Sequence, residues 1–170
     1  MTYAKRRALF VTATATLWGI FGWVVFVTDW RESLPLGIFF VLLVINTYPS
    51  VQLFSSIVPQ DDGRHALIDM LIAFVYFTIA VSLGQPQQFA LCTLVLFLIA
   101  AGKYSMMFYE IPHHHLVQRK VRVDLLGALL CAGVLEAMVL GYSLPASWAM
   151  TIIFALANVY VLLINPLYRV

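Results

Sequence analysis

The feature that most constrains this chain is a series of six long apolar segments. A helix needs about 20 residues to cross the roughly 30 Å hydrocarbon core of a bilayer, so segments of this length and character predict transmembrane helices. Short stretches rich in proline, glycine or polar residues separate one segment from the next, as turns between helices do. The predicted spans cover residues 8–28, 35–58, 66–84, 88–109, 123–143 and 147–168.

The composition agrees with a lipid environment. Apolar residues make up 62% of the 170 residues and charged residues 11%, whereas soluble domains carry about 45–50% and about 25%, respectively. The formal net charge of +2 gives no reason to expect a nucleic-acid partner. We therefore predict an all-α, polytopic integral membrane protein, with residues 1–170 forming a single transmembrane domain for which no cofactor is expected.

The distribution of basic residues predicts the orientation of the helices. The connections are short, so consecutive helices should form three antiparallel hairpins. Among basic residues outside the spans, only Arg31 falls on the side opposite the termini, which predicts that both termini are cytoplasmic. Besides the bilayer itself, the expected partners are anionic lipid headgroups, attracted by Arg119, Lys120 and Arg122 at the cytoplasmic face. The small size and simple plan favour a bacterial cytoplasmic (inner) membrane.

An internal repeat is suggested by three tyrosines at equal spacing. Tyr48, Tyr104 and Tyr160 are 56 residues apart, and each lies in the second helix of a hairpin. This pattern predicts three copies of a two-helix unit around a pseudo-threefold axis, an arrangement found in membrane proteins built from repeats. The alternative is coincidence, because six helices of similar length produce a similar period. The predicted copies span residues 5–59, 62–112 and 119–168.

Polar side chains inside the predicted spans are the first candidates for function, because they are costly in lipid. Asn46 and Asn158 fall near the middle of their spans, and Glu136 is the deepest charge expected. Thr151, Asn158 and Asn165 are spaced by seven residues and therefore share one face of the sixth helix. This polar stripe predicts either a pathway through the membrane or hydrogen bonds between helices.

Two acidic residues and one lysine lie nearer the cytoplasmic ends of the spans. Asp69 and Lys103 fall at similar depth on adjacent antiparallel helices, which predicts an ion pair. Alternatively, Asp69 binds a proton or a cation while Lys103 sets its pKa. Asp124 is expected at the membrane interface, where an acid in the first turn of a helix is favoured.

Four histidines fall in the cytoplasmic loops, three of them consecutive. Imidazole is a ligand for transition metals, but consecutive side chains point in different directions and no pair has the four-residue helical spacing of a metal site. No metal site is therefore predicted. A solvated loop near headgroups is favoured, with a pH-sensitive loop as the alternative. The histidines are His65, His113, His114 and His115.

Three functions fit these patterns. The leading hypothesis is a small transport protein, a channel or carrier for a small solute or ion, with a polar path through the bundle. The second is a structural or assembly subunit of a larger membrane complex, in which the polar groups only join helices. The residues assigned to the path are Asn46, Asp69, Lys103, Glu136, Thr151, Asn158 and Asn165.

The third hypothesis is an interfacial enzyme that acts on a lipid through the cytoplasmic histidines together with Asp61, Asp62 and Glu110. The chain has no phosphate-binding glycine loop, nucleophile elbow or metalloprotease helix, so enzymatic activity is not expected. Gly133, Ala137 and Gly141 form a ridge of small residues on the fifth helix. Such ridges mediate close helix packing, so a homo-oligomer or a partner in a membrane complex fits the sequence.

Overall fold

The structure is a computed structural model that describes residues 2–57, 63–108 and 114–168. Within these ranges the chain is helical apart from short turns, which confirms the all-α prediction. The helices are α1 (Tyr3–Phe26), α2 (Trp30–Ile57), α3 (Gly63–Val81), α4 (Pro86–Met107), α5 (His114–Val139) and α6 (Ser143–Val159), and α6 continues into a π-helical turn, Tyr160–Ile164.

Each predicted span corresponds to one helix, but every helix begins earlier than its apolar segment. The largest difference is in α5, which begins at His114 rather than at residue 123 and ends at Val139 rather than at residue 143. The apolar pattern marks only the part of a helix that faces lipid or core, and polar residues such as Arg119 continue the same helix beyond it.

Within the described residues, five helices are long and apolar enough to cross a membrane: α1, α2, α3, α4, and α6 with its π-helical turn. By contrast, α5 has four charged residues in its first half, between Arg119 and Asp124, and a fifth, Glu136, near its end. A helical bundle with several such apolar helices fits an integral membrane protein.

The six helices pack as a ring. α1 contacts α2 and α3, α4 contacts α3 and α5, and α6 contacts α2 and α5. A threefold axis would place the second helix of each hairpin beside the first helix of the next hairpin. Here two second helices, α2 and α6, are neighbours, and so are two first helices, α1 and α3. The packing order therefore gives the predicted threefold repeat no support.

The bundle has two ends with different packing. We call the end where α1, α3 and α5 begin the terminal end, and the end with the three short hairpin connections the hairpin end. At the hairpin end, Phe39 stacks on Phe154 with ring centroids 4.2 Å apart and meets Phe89 edge-on at 5.7 Å. These rings and their fully buried neighbours form the hairpin-end core, which comprises Leu36, Phe39, Ile79, Leu83, Phe89, Met138, Met150 and Phe154.

Glycine allows two helices to approach closely at this same end. A Cβ atom at Gly22 of α1 would overlap the carbonyl oxygen of Ala80 on α3. Because this obstacle is backbone rather than a flexible side chain, the α1–α3 contact requires glycine at this position. At this end α1 and α3 therefore pack with their backbones in direct contact.

Candidate ligand-binding cavity

A cavity of about 920 Å³ lies at the terminal end, between α1, α2, α3, α4 and α5. Its volume is within the range of about 300–1,000 Å³ typical of ligand pockets. The α1 part of its wall runs from exposed Tyr3 to Trp18, a distance of about 22 Å at a rise of about 1.5 Å per residue. The cavity therefore reaches deep into the bundle and stops at the hairpin-end core.

One carboxylate holds two cations near the mouth of the cavity. Asp69 on α3 accepts a hydrogen bond from Nη2 of Arg7 on α1 at 2.5 Å, and a second one from Nζ of Lys103 on α4. The three side chains are partly exposed, at 29%, 34% and 12%, respectively. We call this group the Asp69 cluster, and it joins three helices around the cavity.

The ion pair between Asp69 and Lys103 that the sequence predicts is present. Arg7 completes the cluster, although no pattern in the sequence predicts its contact with Asp69. The α3–α4 hairpin brings Asp69 and Lys103 together through chain connectivity. The contact of Arg7 with Asp69 depends instead on the packing of α1 beside α3, for which the sequence pattern carries no signal.

A second ion pair is buried more fully. Lys120 donates to Oδ1 of Asp124 at 2.5 Å, one turn apart on α5, with side chains 8% and 1% exposed. The Lys120 ammonium also lies 5.1 Å from the centre of the Tyr104 ring, in cation–π geometry. The other carboxylate oxygen of Asp124, Oδ2, is buried and has no hydrogen-bond partner within the described part of the chain.

The position of this pair corrects two expectations. The sequence places Lys120 among the lipid headgroups and Asp124 at the interface, whereas both side chains are buried and line the cavity. The reason is the early start of α5 at His114, which makes this region a packed helix rather than a loop.

Hydroxyl groups form the middle of the wall. The hydroxyls of Thr47 and Tyr76 hydrogen-bond to each other at 2.5 Å, and those of Ser50 and Tyr104 do so at 3.2 Å. Oδ1 of Asn46 is buried in the same wall and accepts no hydrogen bond from any described residue. These groups add polar binding capacity above the charged mouth.

The innermost part of the cavity is apolar, so its polarity is graded from mouth to floor. The lining contains four basic and two acidic residues, so its formal net charge is +2. Its charged members are Arg6, Arg7, Lys103, Lys120, Asp69 and Asp124. Its floor comprises Ala15, Trp18, Leu43, Leu96 and Phe97.

The structure brings three of the predicted pathway residues together, because Asn46, Asp69 and Lys103 all line this cavity. Glu136 does not join them. It is exposed in the last turn of α5, since the helix ends at Val139. The charge that the sequence places deepest thus lies near the hairpin end.

The polar stripe of α6 is not part of the lining either. Thr151 is buried and donates to the carbonyl oxygen of Pro35 on α2 at 2.7 Å, so it joins two helices. Asn158 donates to Phe154 of its own helix at 2.9 Å. Asn165 lies beyond the π-helical turn and is exposed. The packing separates these residues from the cavity on α1–α5.

The histidines fall into two environments. His65 is buried and lines the cavity, whereas His114 and His115 are exposed at the start of α5. His113, Asp61, Asp62 and Glu110 lie outside the described residues. In the described ranges, histidine, cysteine and acidic side chains form no group of three that could hold a metal ion.

Neither a family model, nor a curated protein, nor a solved structure matches the chain. The lining combines ion-paired charges, hydroxyl groups and an apolar floor in one volume. This combination suits the reversible binding of a solute, because its polar groups can orient a ligand while apolar walls bury it.

Proposed function

We propose that this chain is a small membrane transport protein, a carrier for a small solute whose binding site is the terminal-end cavity. In this proposal all six helices cross a bacterial cytoplasmic membrane, and the terminal end faces the cytoplasm. The excess of basic residues at that end supports this orientation. The observation that carries the proposal is a charged cavity inside the bundle at one end and a closed apolar core at the other.

The buried charges favour binding over a purely structural role. Lys120 and Asp124 are almost fully buried, and removing charged groups from water is expensive. Apolar residues of similar volume usually stabilise a bundle as well as, or better than, such a pair. Charges placed inside a membrane domain typically mark a substrate or ion pathway. The position of the pair on the cavity wall agrees with such a role.

The asymmetry of the bundle supports a carrier rather than an open channel. A carrier exposes its site to one side at a time, through gating movements of packed helices. The cavity reaches exposed Tyr3 and Arg6 at the terminal end, while Phe39 and Phe154 close the other end. Transport would then require the contact between Gly22 and Ala80 to open.

Cysteine accessibility tests this function. Cys92 and Cys131 are replaced first, and single cysteines are then introduced at Asn46 in the cavity wall and at Thr151 between α2 and α6. A membrane-impermeant thiol reagent is applied to intact cells and to inverted vesicles. We expect Asn46→Cys to react in inverted vesicles and, more slowly, in intact cells, because a carrier opens its site to each side in turn. We expect Thr151→Cys to stay unlabelled in both.

Two exposed positions serve as controls. Lys5→Cys at the terminal end should react only in inverted vesicles, and Glu32→Cys at the hairpin end only in intact cells. If both controls react and Asn46→Cys does not, the cavity is closed to water and the structural-subunit hypothesis replaces transport. Reaction of Lys5→Cys in intact cells would overturn the proposed orientation.

A further inference from the structure

We propose that the solute is an amphiphilic anion, a phosphate or carboxylate head joined to an apolar tail. This inference rests on the proposed function for the use of the site, and it adds the chemical class of ligand that the cavity binds. It follows from the graded polarity of the lining, with basic groups at the mouth and apolar side chains at the floor.

The mouth provides donors for an anionic head. Arg6 lines the cavity and makes no ion pair with any residue in the described ranges, and Arg7 contacts Asp69 through one of its terminal nitrogens. The rest of the Arg7 guanidinium is available to another acceptor. Guanidinium groups bind phosphate and carboxylate in bidentate geometry, and such charge-assisted hydrogen bonds are about twice as strong as neutral ones.

The floor provides a place for an apolar tail. Trp18, Leu43 and Phe97 line it, and Trp18 lies about 16 Å along α1 from Arg7 at a rise of about 1.5 Å per residue. Phe10, between them on α1, lines the cavity and is also 74% exposed on the side of the bundle. A tail that enters the cavity from the bilayer would pass Phe10 beside α1.

Asp69 occupies the place of the ligand head in this structure. Its carboxylate lies between Arg7 and Lys103 and pairs with both, as a phosphate or carboxylate from a ligand would, and the group keeps one net positive charge. A head that binds Arg7 and Lys103 together must displace Asp69, and this displacement releases the contact that joins α1, α3 and α4. Asp69 is thus a positioning residue that competes with the ligand, and removing its charge should strengthen binding.

Tryptophan fluorescence measures such binding directly, because Trp18 lines the floor. Trp23, Trp30 and Trp148 are replaced by phenylalanine, and the protein is placed in nanodiscs of neutral lipid. The probe is 12-bromododecyl phosphate, whose terminal bromine quenches indole fluorescence on contact. The control is 12-bromododecyl trimethylammonium, which has the same tail and the opposite charge. Ligand-induced shifts in the melting temperature of the protein with all four tryptophans provide a second measurement if the triple replacement does not fold.

We expect saturable quenching by the phosphate at a concentration at least about tenfold below that needed with the ammonium probe, because the mouth is basic. Arg7→Gln and Lys103→Gln should each raise the required phosphate concentration, whereas Asp69→Asn should lower it. Lys5→Gln, a basic residue of the same helix outside the lining, should leave it unchanged. Equal quenching by the two probes, or no effect of Arg7→Gln and Lys103→Gln, would overturn the proposal.

Competition experiments distinguish the possible sources of the anion. Inorganic phosphate alone should not displace the probe, and displacement at similar concentrations would refute the requirement for a tail. Displacement by phosphatidic acid in the nanodisc would assign the ligand to the lipid bilayer, and displacement only by added dodecyl phosphate would assign it to free amphiphiles. Quenching together with an unlabelled Asn46→Cys would retain the ligand class and refute transport. Labelling of Asn46→Cys without selective quenching by the phosphate probe would retain transport and refute the ligand class.

Discussion

Asp69 on α3 and Arg7 on α1 form a salt bridge at 2.5 Å although 62 positions separate them in the sequence. The bridge joins the starts of two helices that run in the same direction, and Lys103 contributes to the same carboxylate from a third helix. The Asp69 cluster therefore connects the packing order of the bundle with the charge at the cavity mouth.

The first prediction concerns this salt bridge. Arg7→Gln and Asp69→Asn should each lower the free energy of unfolding by about 0.5–2 kcal/mol. The expected loss is small because about a third of each side chain is exposed to solvent, which screens the ion pair. The double variant should lose less than the sum, since the two residues interact. Unfolding in mixed micelles measures all three, with Lys5→Gln as the control. Strictly additive losses would show that the bridge contributes no stability.

The second prediction concerns the buried pair on α5. Lys120→Met leaves Asp124 charged and unpaired in a buried site, which should cost about 3–5 kcal/mol. Removing both charges in Lys120→Met with Asp124→Leu should restore most of this loss. Thermal unfolding in detergent compares the variants with Arg122→Gln, an exposed change on the same helix. A double variant as unstable as the single one would contradict this account.

The third prediction concerns the close approach of α1 and α3. Gly22→Ala places a methyl group against the carbonyl of Ala80, so overpacking should lower stability by about 1–3 kcal/mol. Gly133→Ala on α5 is the matched control, because its added Cβ meets no atom of the described chain within 4 Å. We expect that change to be neutral or stabilising, since alanine is the better helix former. Equal melting temperatures for the two variants would refute the close contact.

The fourth prediction concerns the link between α6 and α2. Thr151→Val removes the hydroxyl that donates to Pro35 and should lower the free energy of unfolding by about 0.5–1.5 kcal/mol. Thr16→Val removes an exposed hydroxyl that bonds only within its own helix, to Thr12, and should cost less. The same unfolding assay compares them. A larger loss from Thr16→Val would show that the α6–α2 hydrogen bond is not a source of stability.

The sequence predicted the helices well and their ends less well. Apolar runs identify each of the six helices, because burial in lipid or core demands continuous apolar surface. The start of α5 at His114 was missed, since its first turns carry the charged residues of an apparent loop. The end of α5 at Val139 was also missed, so Glu136 lies in the last turn of the helix, and Lys120 lies inside the bundle rather than beside it.

The candidate site was predictable only where connectivity decides contacts. Asp69 and Lys103 lie at equal depth on two helices of one hairpin, so their pairing follows from the chain order. The α6 stripe was predicted from helical spacing alone, and its residues Thr151, Asn158 and Asn165 lie outside the cavity lining. Helical periodicity assigns residues to a face without saying which neighbour that face meets.

The sequence by itself determined an all-helical chain with long apolar helices, because the apolar content and segment length leave few other ways to satisfy the backbone in lipid. Only the tertiary structure decided that α1 packs beside α3, that Arg7 reaches Asp69, and that Lys120 and Asp124 line a cavity. The physical reason is that residues distant in the chain meet through the order in which helices pack. That order depends on side-chain fit between whole helix surfaces, which no local pattern encodes.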